Sequence, residues 1–368
     1  MLKIAVVGTR GFPGVQGGVE SHCEKIYPLL VKDGYKIVVF ARKPYVDFGV
    51  KDYSGVRLIA INCSKRKSLE AMVHTFKALF AAKKEKVDGV HFHGIGPASL
   101  VPLARMLGFK VIMTHHGSDY RRKKWGIFAK FVLRLGERFG VCFSNRVISI
   151  SQDISNQIKK KYNVNSNVIP NGVDIPKILE STGLLDQLSL MPKKYILAVG
   201  RFVPEKGFHD LIDAFMKANL NDWKLVIVGD ADHESKYSIG LKEKVKKNNS
   251  IILSGVLNGQ DIKEIYSHAG LFVLPSYYEG LPISLLEALS YGLQCIVSNI
   301  LANRSLELDD EKYFTPGNIE EMAQKLNKFT QKGLSESERK NQINRIKEKY
   351  NWSDIAKETI EVYKEVFS

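Results

Sequence analysis

The stretch "NVIPNGVDIPKILESTGLLDQLSLMPKKYILAVGR", residues 167–201, decides how this chain folds, because one strand-and-helix pattern ends in it and another begins. "YILAVGR" (195–201) is a continuous apolar run closed by a glycine and a cation, the pattern of a strand buried on both faces. "KLVIVGD", "IILSG", "LFVLPS" and "QCIVSN" follow it with helical segments between them. Upstream, "KIAVVG", "KIVVFA", "GVHFHG", "KVIMTHHG" and "RVISIS" alternate with helical segments in the same way. Such alternation builds a parallel sheet wrapped by helices, so the class is α/β: two doubly wound, Rossmann-like domains in tandem. The expected division is residues 1–178 and 179–349, with a boundary near 172–190 and a C-terminal helix, 350–368, packing back on the first domain. Ser353 is the expected N-cap of that helix. Open parallel sheets bind ligands at the carboxyl ends of their strands, so two such domains facing each other are expected to make one central cleft.

The chain has 368 residues, more than one hydrophobic core usually supports, and 44% of them are hydrophobic, enough for two cores. Its apolar runs are only strand-sized, and "MLKIAVVG" has neither a basic leader nor a small-residue cleavage site, so a cytoplasmic protein without a spanning helix is expected. Cys23, Cys63, Cys142 and Cys295 lie far apart without zinc spacing and read as buried thiols. The formal charge of +15 is unevenly placed: residues 1–184 carry +17 and residues 185–368 carry −2. An anionic partner of the first half is implied, either nucleic acid or an anionic membrane surface.

The loop after the first strand, "GTRGFPGVQGGVE" (8–20), is longer than a dinucleotide-binding turn, and the second strand ends in Ala41-Arg42 rather than in an acid. A nicotinamide oxidoreductase is therefore a poor reading, although Arg42 could face a 2′-phosphate. Gly17 and Gly18 precede the helix that Glu20 opens, so their amides can approach a phosphate or sugar oxygen; a tight turn alone fits the same residues. In the second half, Arg201 ends a strand and Lys206 precedes a helix, a fork and a point charge suited to a diphosphate.

"YYEGLPISLLEAL" (277–289) places Glu279 before a helix and Glu287 on its second turn, with Pro282 in the first turn. Carboxylates there accept hydrogen bonds from vicinal hydroxyls, and the amides of Gly280 and Leu281 face a phosphate or sugar. A general acid and base is the rival, but carboxylates beside a diphosphate site act as acceptors.

With "GGVE", "THHGSDY", "IPNGVD", "GRFVPEKG" and the two glutamates, nearly the whole chain resembles the family 4 retaining glycosyltransferases of GT-B fold, nearest those of bacterial polysaccharide assembly. "GTRGFPGVQGGVE" resembles the opening of rhamnosyltransferase-like members. The resemblance implies a second domain that binds a nucleotide-sugar, a first domain that receives a glycan or lipid-linked acceptor, no required metal and no cofactor. It implies that Arg201 and Lys206 hold the diphosphate, that Glu287 holds the ribose, and that Glu279 with the Gly280 and Leu281 amides holds the hexose. It places His116 beside the donor sugar as a catalytic candidate with Glu279, and leaves His115 structural. Asp230 and Asp232 in "GDADHE" have the D-x-D form of a manganese site in another glycosyltransferase fold, and are set aside because Arg201 and Lys206 already supply the charge.

"RRKKWGIFAKFVLRLGERF" (121–139) spaces Phe128, Phe131, Val132, Leu135 and Phe139 as on a helix, with Lys130, Arg134 and Arg138 between. A core-packed helix with a solvated basic face accounts for this spacing; so does a helix lying on an anionic bilayer, near which Asp119, Arg121, Arg122, Lys123 and Lys124 would meet the acceptor or phospholipid. A peripheral place on the inner face of the cell membrane is the corresponding expectation. No recognition helix or zinc spacing points to specific nucleic acid, and nonspecific backbone binding is the non-enzymatic alternative. A GT-B-like sugar-nucleotide epimerase, which needs no acceptor, is the enzymatic one.

Overall fold

A computed structural model describes residues 1–46, 51–64, 70–118, 120, 126–246 and 248–368. Asp119, Arg121, Arg122, Lys123, Lys124 and Trp125 lie outside the described residues. The chain divides into two compact units, Met1–Gly172 with Trp352–Ser368, and Val173–Asn351.

The strands of the first unit are β1 (Lys3–Val7), β2 (Lys36–Arg42), β3 (Asp52–Tyr53), β4 (Val56–Ile61), β5 (Gly89–His93), β6 (Lys110–His115), β7 (Arg146–Ser149) and β8 (Asn167–Val168). They lie in the order β3-β4-β2-β1-β5-β6-β7-β8, all parallel except β3 against β4. Its helices are α1 (Gly18–Lys32), α2 (Glu70–Lys84), α3 (Val101–Met106), α4 (Ile127–Phe143) and α5 (Gln152–Tyr162). The central strands β1, β2, β5 and β6 are buried on both faces because both are covered: α1 and the C-terminal helix Trp352–Phe367 pack on one side, and α2, α3 and α4 on the other. That last helix begins at Trp352, so Ser353 falls inside its first turn rather than at its cap. The buried Trp352 ring leaves no room at Gly172, where a Cβ would come within 2.5 Å of it.

The second unit has β9 (Tyr195–Val199), β10 (Lys224–Val228), β11 (Ile251–Gly255), β12 (Leu271–Leu274), β13 (Cys295–Ser298) and β14 (Tyr313–Phe314), all parallel, in the order β11-β10-β9-β12-β13-β14. Around them run α6 (Gly183–Gln187), α7 (Phe208–Ala218), α8 (Lys236–Val245), α9 (Gly259–His268) and α10 (Ile283–Ser290), then helices Leu301–Arg304, Ile319–Gln331 and Glu336–Lys349. The strand order reverses direction between β1 and β5 in one unit and between β9 and β12 in the other. Ligands of open α/β sheets bind beyond the strand ends at such a switch point. The loops after β1, β5, β9 and β12 are therefore the ones the fold sets up for chemistry.

The apolar side chains of α4 do not all face inward. Leu133, Gly136, Glu137, Gly140 and Val141 are its buried stripe, while Phe128 and Phe131 are 79% and 56% exposed. Two glycines set this rotation: a Cβ at Gly136 would lie 2.1 Å from the Ile95 carbonyl oxygen, and one at Gly140 2.3 Å from Met113 Sδ. Only the glycine side of α4 can approach that closely. Of the four thiols, Cys23 and Cys295 are buried, whereas Cys63 is half-buried and Cys142 is exposed on α4. Among the described residues no helix is long and apolar enough to cross a membrane.

Candidate functional site

In the second unit the chain leaves β9 through Gly200 and Arg201, makes a tight turn at Pro204–Lys206, and enters α7 through Gly207. Gly207 has φ 68°, and a Cβ there would sit 2.2 Å from the Pro275 carbonyl oxygen, so glycine lets this loop pack onto the chain leaving β12. Tyr277 N–H donates to the Glu205 carbonyl at 2.8 Å and fastens the two loops. This brings Lys206 to Glu279, with Nζ donating to Oε1 at 2.6 Å, and Ser276 Oγ donates to the same oxygen at 2.6 Å. Both charged side chains are mostly buried, at 16% and 12% exposure.

Arg201 turns elsewhere and donates from Nη1 to Asp232 Oδ2 at 2.8 Å. Asp230 pairs with Lys242 at 3.0 Å. Both carboxylates of the D-x-D sequence are thus matched to cations, and among the described residues no group of three or more His, Cys, Asp or Glu is arranged to hold a metal ion.

Pro282 is the N-cap of α10 rather than part of its first turn, since its ψ of 103° is extended. Glu287 still falls on the second turn, where Tyr266 donates to its Oε2 at 3.0 Å. Burial, reinforced by the Glu287 carboxylate, pushes the Tyr266 phenol well up, so it remains a donor. Gly280 is half-buried and Leu281 buried between the two glutamates.

In the first unit, Gly17 is the N-cap of α1 at φ 150°, and Gly18 is the first helical residue. A Cβ at Gly17 would meet Glu20 Oε2 at 2.2 Å and Arg10 Nη2 at 2.5 Å. Those two residues, absent from the sequence argument as a pair, hold the loop: Glu20 Oε1 accepts from the Arg10 backbone N–H at 3.0 Å and from Nε at 3.2 Å. Burial alone would raise the Glu20 carboxyl; the Arg10 guanidinium and its hydrogen bonds hold it below its ordinary value. Arg42 is not open to a 2′-phosphate, because Nη1 is bonded to Glu70 Oε1 at 3.1 Å and both side chains are 12% exposed.

His116 is half-buried, and its Nε2 is 2.8 Å from His93 Nδ1. His93 Nε2 in turn meets the Tyr27 hydroxyl, which lies 3.1 Å from His91 Nδ1. His91 completes the chain through Tyr363 at 2.8 Å and Thr114 at 2.7 Å. His22 packs its ring 5.4 Å from that of His116. Burial pushes His22 down to about 4. Burial and the nearby His22 push His91 down to about 3. Burial, with the neighbouring imidazoles second, puts His93 and His116 well below 6.5. The network is therefore neutral near pH 7, and a neutral imidazole has one donor and one acceptor nitrogen. The strand "GVHFHG" held the signal for it, since alternate residues of a strand share a face and His91 and His93 are two apart.

His115 belongs to a separate cluster. Gly117 N–H donates to its Nδ1 at 3.2 Å, so Nε2 carries the hydrogen directed at Glu137 Oε1, 3.1 Å away. Glu137 also accepts from Ser118 at 3.1 Å, Tyr120 at 3.2 Å, Tyr162 at 2.6 Å and Lys161. Burial would raise the Glu137 carboxyl, but these donors hold it well below the usual carboxylate range. Ser118 and Tyr120 are thereby tied, through Glu137, to α4 and α5.

Two family models match the chain, "Glycosyltransferase Family 4" over residues 16–177 and "Glycosyl transferases group 1" over residues 186–349. The chain is 31% identical over 325 residues to the UDP-Gal:alpha-D-GlcNAc-diphosphoundecaprenol alpha-1,3-galactosyltransferase of Escherichia coli, covering 83% of this chain and 81% of that one. It is 24% identical to the amylovoran biosynthesis glycosyltransferase AmsD of Erwinia amylovora, covering 81% of each. In fold it is similar to sucrose-phosphate synthase of Thermosynechococcus elongatus, with a TM-score of 0.83 at 19% identity over 100% of this chain and 99% of that one. It is likewise similar to Anabaena HepE in complex with UDP-glucose, with a TM-score of 0.80 at 18% identity over 99% and 100%.

Proposed function

The chain belongs to the family 4 glycosyltransferases of GT-B fold, and from that premise we propose that it moves a hexose or deoxyhexose, with retention, from a nucleoside diphosphate donor to a lipid-linked glycan acceptor. The observation that supports this most is the Lys206–Glu279 pair at the β9/β12 switch point, a cation and a carboxylate 2.6 Å apart where this fold receives ligands.

In this reading Arg201 and Lys206 take the donor diphosphate, neutralising charge that grows on the leaving group as the glycosidic bond breaks. Glu287 accepts from the ribose hydroxyls, its geometry set by the Tyr266 donor. Glu279, with the Gly280 and Leu281 amides, holds the transferring ring, and Gly17 and Gly18 offer amides to donor oxygens. His116, kept neutral, offers a ring nitrogen to the sugar. The positive charge comes from side chains, so turnover is expected to survive a chelator. The galactosyltransferase relative names a UDP-sugar and a diphosphoundecaprenol-linked acceptor, which makes UDP-hexoses and polyprenyl-diphosphate sugars the first substrates to try and an anionic membrane surface the place of action.

A labelled-sugar transfer assay with UDP-hexoses, a polyprenyl-diphosphate acceptor and excess chelator tests the proposal. Acceptor-dependent transfer with the anomeric configuration kept supports it; donor consumption without any acceptor would point to an epimerase instead.

A further inference from the structure

β5 lies between β1 and β6 in the first sheet, and its two histidines meet a tyrosine from each of the helices that cover one face: Tyr27 on α1 and Tyr363 on the C-terminal helix. His91, His93, Tyr27, Tyr363 and Thr114 are each at most 2% exposed. Polar groups in such a place are costly unless they bond to one another. Because water is shut out, every hydrogen between Tyr363 and His93 has to find its acceptor inside the group.

Each hydroxyl has one hydrogen to give, and each neutral imidazole has one N–H and one lone pair. Tyr363 Oη lies 2.8 Å from His91 Nδ1, and a buried phenol needs an acceptor for its hydrogen, so Nδ1 is the lone pair. The His91 hydrogen is then on Nε2, which donates to Thr114 Oγ1 at 2.7 Å. Tyr27 stands 3.1 Å from that occupied Nδ1 and gives its hydrogen to the nearer His93 Nε2. His93 therefore carries its hydrogen on Nδ1 and donates it to His116 Nε2 at 2.8 Å. His116 is left with its own hydrogen on Nδ1, an atom without a hydrogen-bond partner among the described residues. Without the Tyr363 hydroxyl, His91 Nδ1 would be open to the Tyr27 hydrogen. His93 Nε2 would then be free to donate to Tyr27 and His116 Nε2 to His93, which turns His116 Nδ1 into a lone pair.

We propose that Tyr363 is a positioning residue of the site: by occupying His91 Nδ1 it fixes, through Tyr27 and His93, the hydrogen of His116 on Nδ1, so that His116 meets an oxygen of the bound donor as a hydrogen-bond donor. This rests on the reading of His116 as a sugar-side residue and deepens it, because the other ring nitrogen decides the tautomer that a histidine shows its ligand. A nitrogen that already holds hydrogen takes no proton, so His116 Nδ1 is not a general base. The C-terminal helix, 272 residues from His91 in sequence, thereby belongs to the site as well as to the core.

The test is nitrogen-15 spectroscopy of the full chain labelled at histidine, at pH 7, with His116→Gln to identify the His116 signals, beside calorimetry with uridine diphosphate and the hexose-transfer assay. Wild-type His116 is expected to show a pyrrole-type Nδ1 and a pyridine-type Nε2. Tyr363→Phe keeps the ring that packs on Tyr35 and Phe367, and should mix the two tautomers. Its single-turnover rate should fall by the fraction of the Nδ1–H tautomer lost, with uridine diphosphate affinity unchanged. Tyr27→Phe, which removes the donor to His93 Nε2, should act in the same way and serves where Tyr363→Phe does not fold. Tyr35→Phe, 5.6 Å from Tyr363 between ring centres but outside the network, should change neither reading. A pyridine-type Nδ1 in wild-type His116 would overturn the proposal, as would an unmixed tautomer in both phenylalanine variants or a mixed tautomer at an unchanged rate. A wild type with the expected tautomer that neither binds uridine diphosphate nor transfers a hexose would remove the donor reading and leave the relay supported.

Discussion

Lys206 Nζ donates to Glu279 Oε1 at 2.6 Å, across two loops that leave neighbouring strands 73 residues apart in sequence. The cation proposed for the diphosphate and the carboxylate proposed for the sugar thus neutralise each other, and a phosphate reaching Lys206 competes with Glu279 for its hydrogens. Lys206→Ala should weaken nucleoside diphosphate binding by about tenfold to a hundredfold, the range of one charge-assisted hydrogen bond. Glu279→Gln should keep or slightly strengthen nucleoside diphosphate affinity, because the lysine is released, and should lower turnover. Calorimetry and single-turnover rates read the two effects, and equal loss of nucleotide binding in both variants would reject the division of labour.

Glu287 accepts a hydrogen bond from Tyr266 at 3.0 Å, and in the proposed site it also accepts from ligand hydroxyls. Glu287→Gln should raise the dissociation constants of donor and free nucleoside diphosphate together, by roughly tenfold, while the rate of the bound complex changes little. A fall in single-turnover rate at saturating donor, with affinity intact, would place Glu287 in the chemistry instead.

His93 touches His116 and, in the proposed site, acts through it. His93→Ala should lower turnover at near-constant donor KM, since His116 Nε2 loses the partner that fixes its tautomer. His93→Asn, which still offers an amide donor and acceptor, should restore part of the rate; no difference between the two variants would make His93 a packing residue only.

The buried imidazoles also fix how stability changes with acid. His91 and His22 are held down at about 3 and about 4 against 6.5. Below pH 6.5 the unfolded chain binds protons that the folded one refuses. Their contribution is therefore complete above that pH and is lost as pH falls toward the folded values, by up to about 1.4 kcal/mol per pH unit for each histidine. The melting temperature should drop between pH 7 and pH 5, before carboxylates titrate, and His91→Gln should flatten the slope. A melting temperature constant over that interval would contradict a neutral network.

Gly136→Ala sets two effects against each other. Alanine favours a helix over glycine by about 1 kcal/mol, but its Cβ would lie 2.1 Å from a backbone oxygen of Ile95, which cannot swing away. Overpacking of this kind costs about 1–3 kcal/mol, so a net loss is expected in urea unfolding. A gain would show that α4 shifts freely.

Strand existence and sheet class were legible because an apolar run between glycine-rich turns specifies a strand buried on both faces wherever it folds. The positions of Arg201, Lys206, Glu279 and Glu287 at strand ends and a helix start followed from the same local rules. The partners did not. Nothing in "IFAKFVLRLGERFGVCF" (127–143) says that Gly136, Gly140 and a buried glutamate, rather than Phe128 and Phe131, face inward, because helix periodicity defines a stripe without saying which stripe meets a neighbour. Arg42 read as available until the fold brought Glu70 to it from 28 residues away, and the link from His91 to Tyr363 spans 272 residues. Sequence determined which segments become strands and helices, since their hydrogen bonds and apolar periods are local; tertiary structure alone decided which charges are matched and which aromatics stay in water, since those depend on contacts between segments whose separation along the chain carries no record of their distance in space.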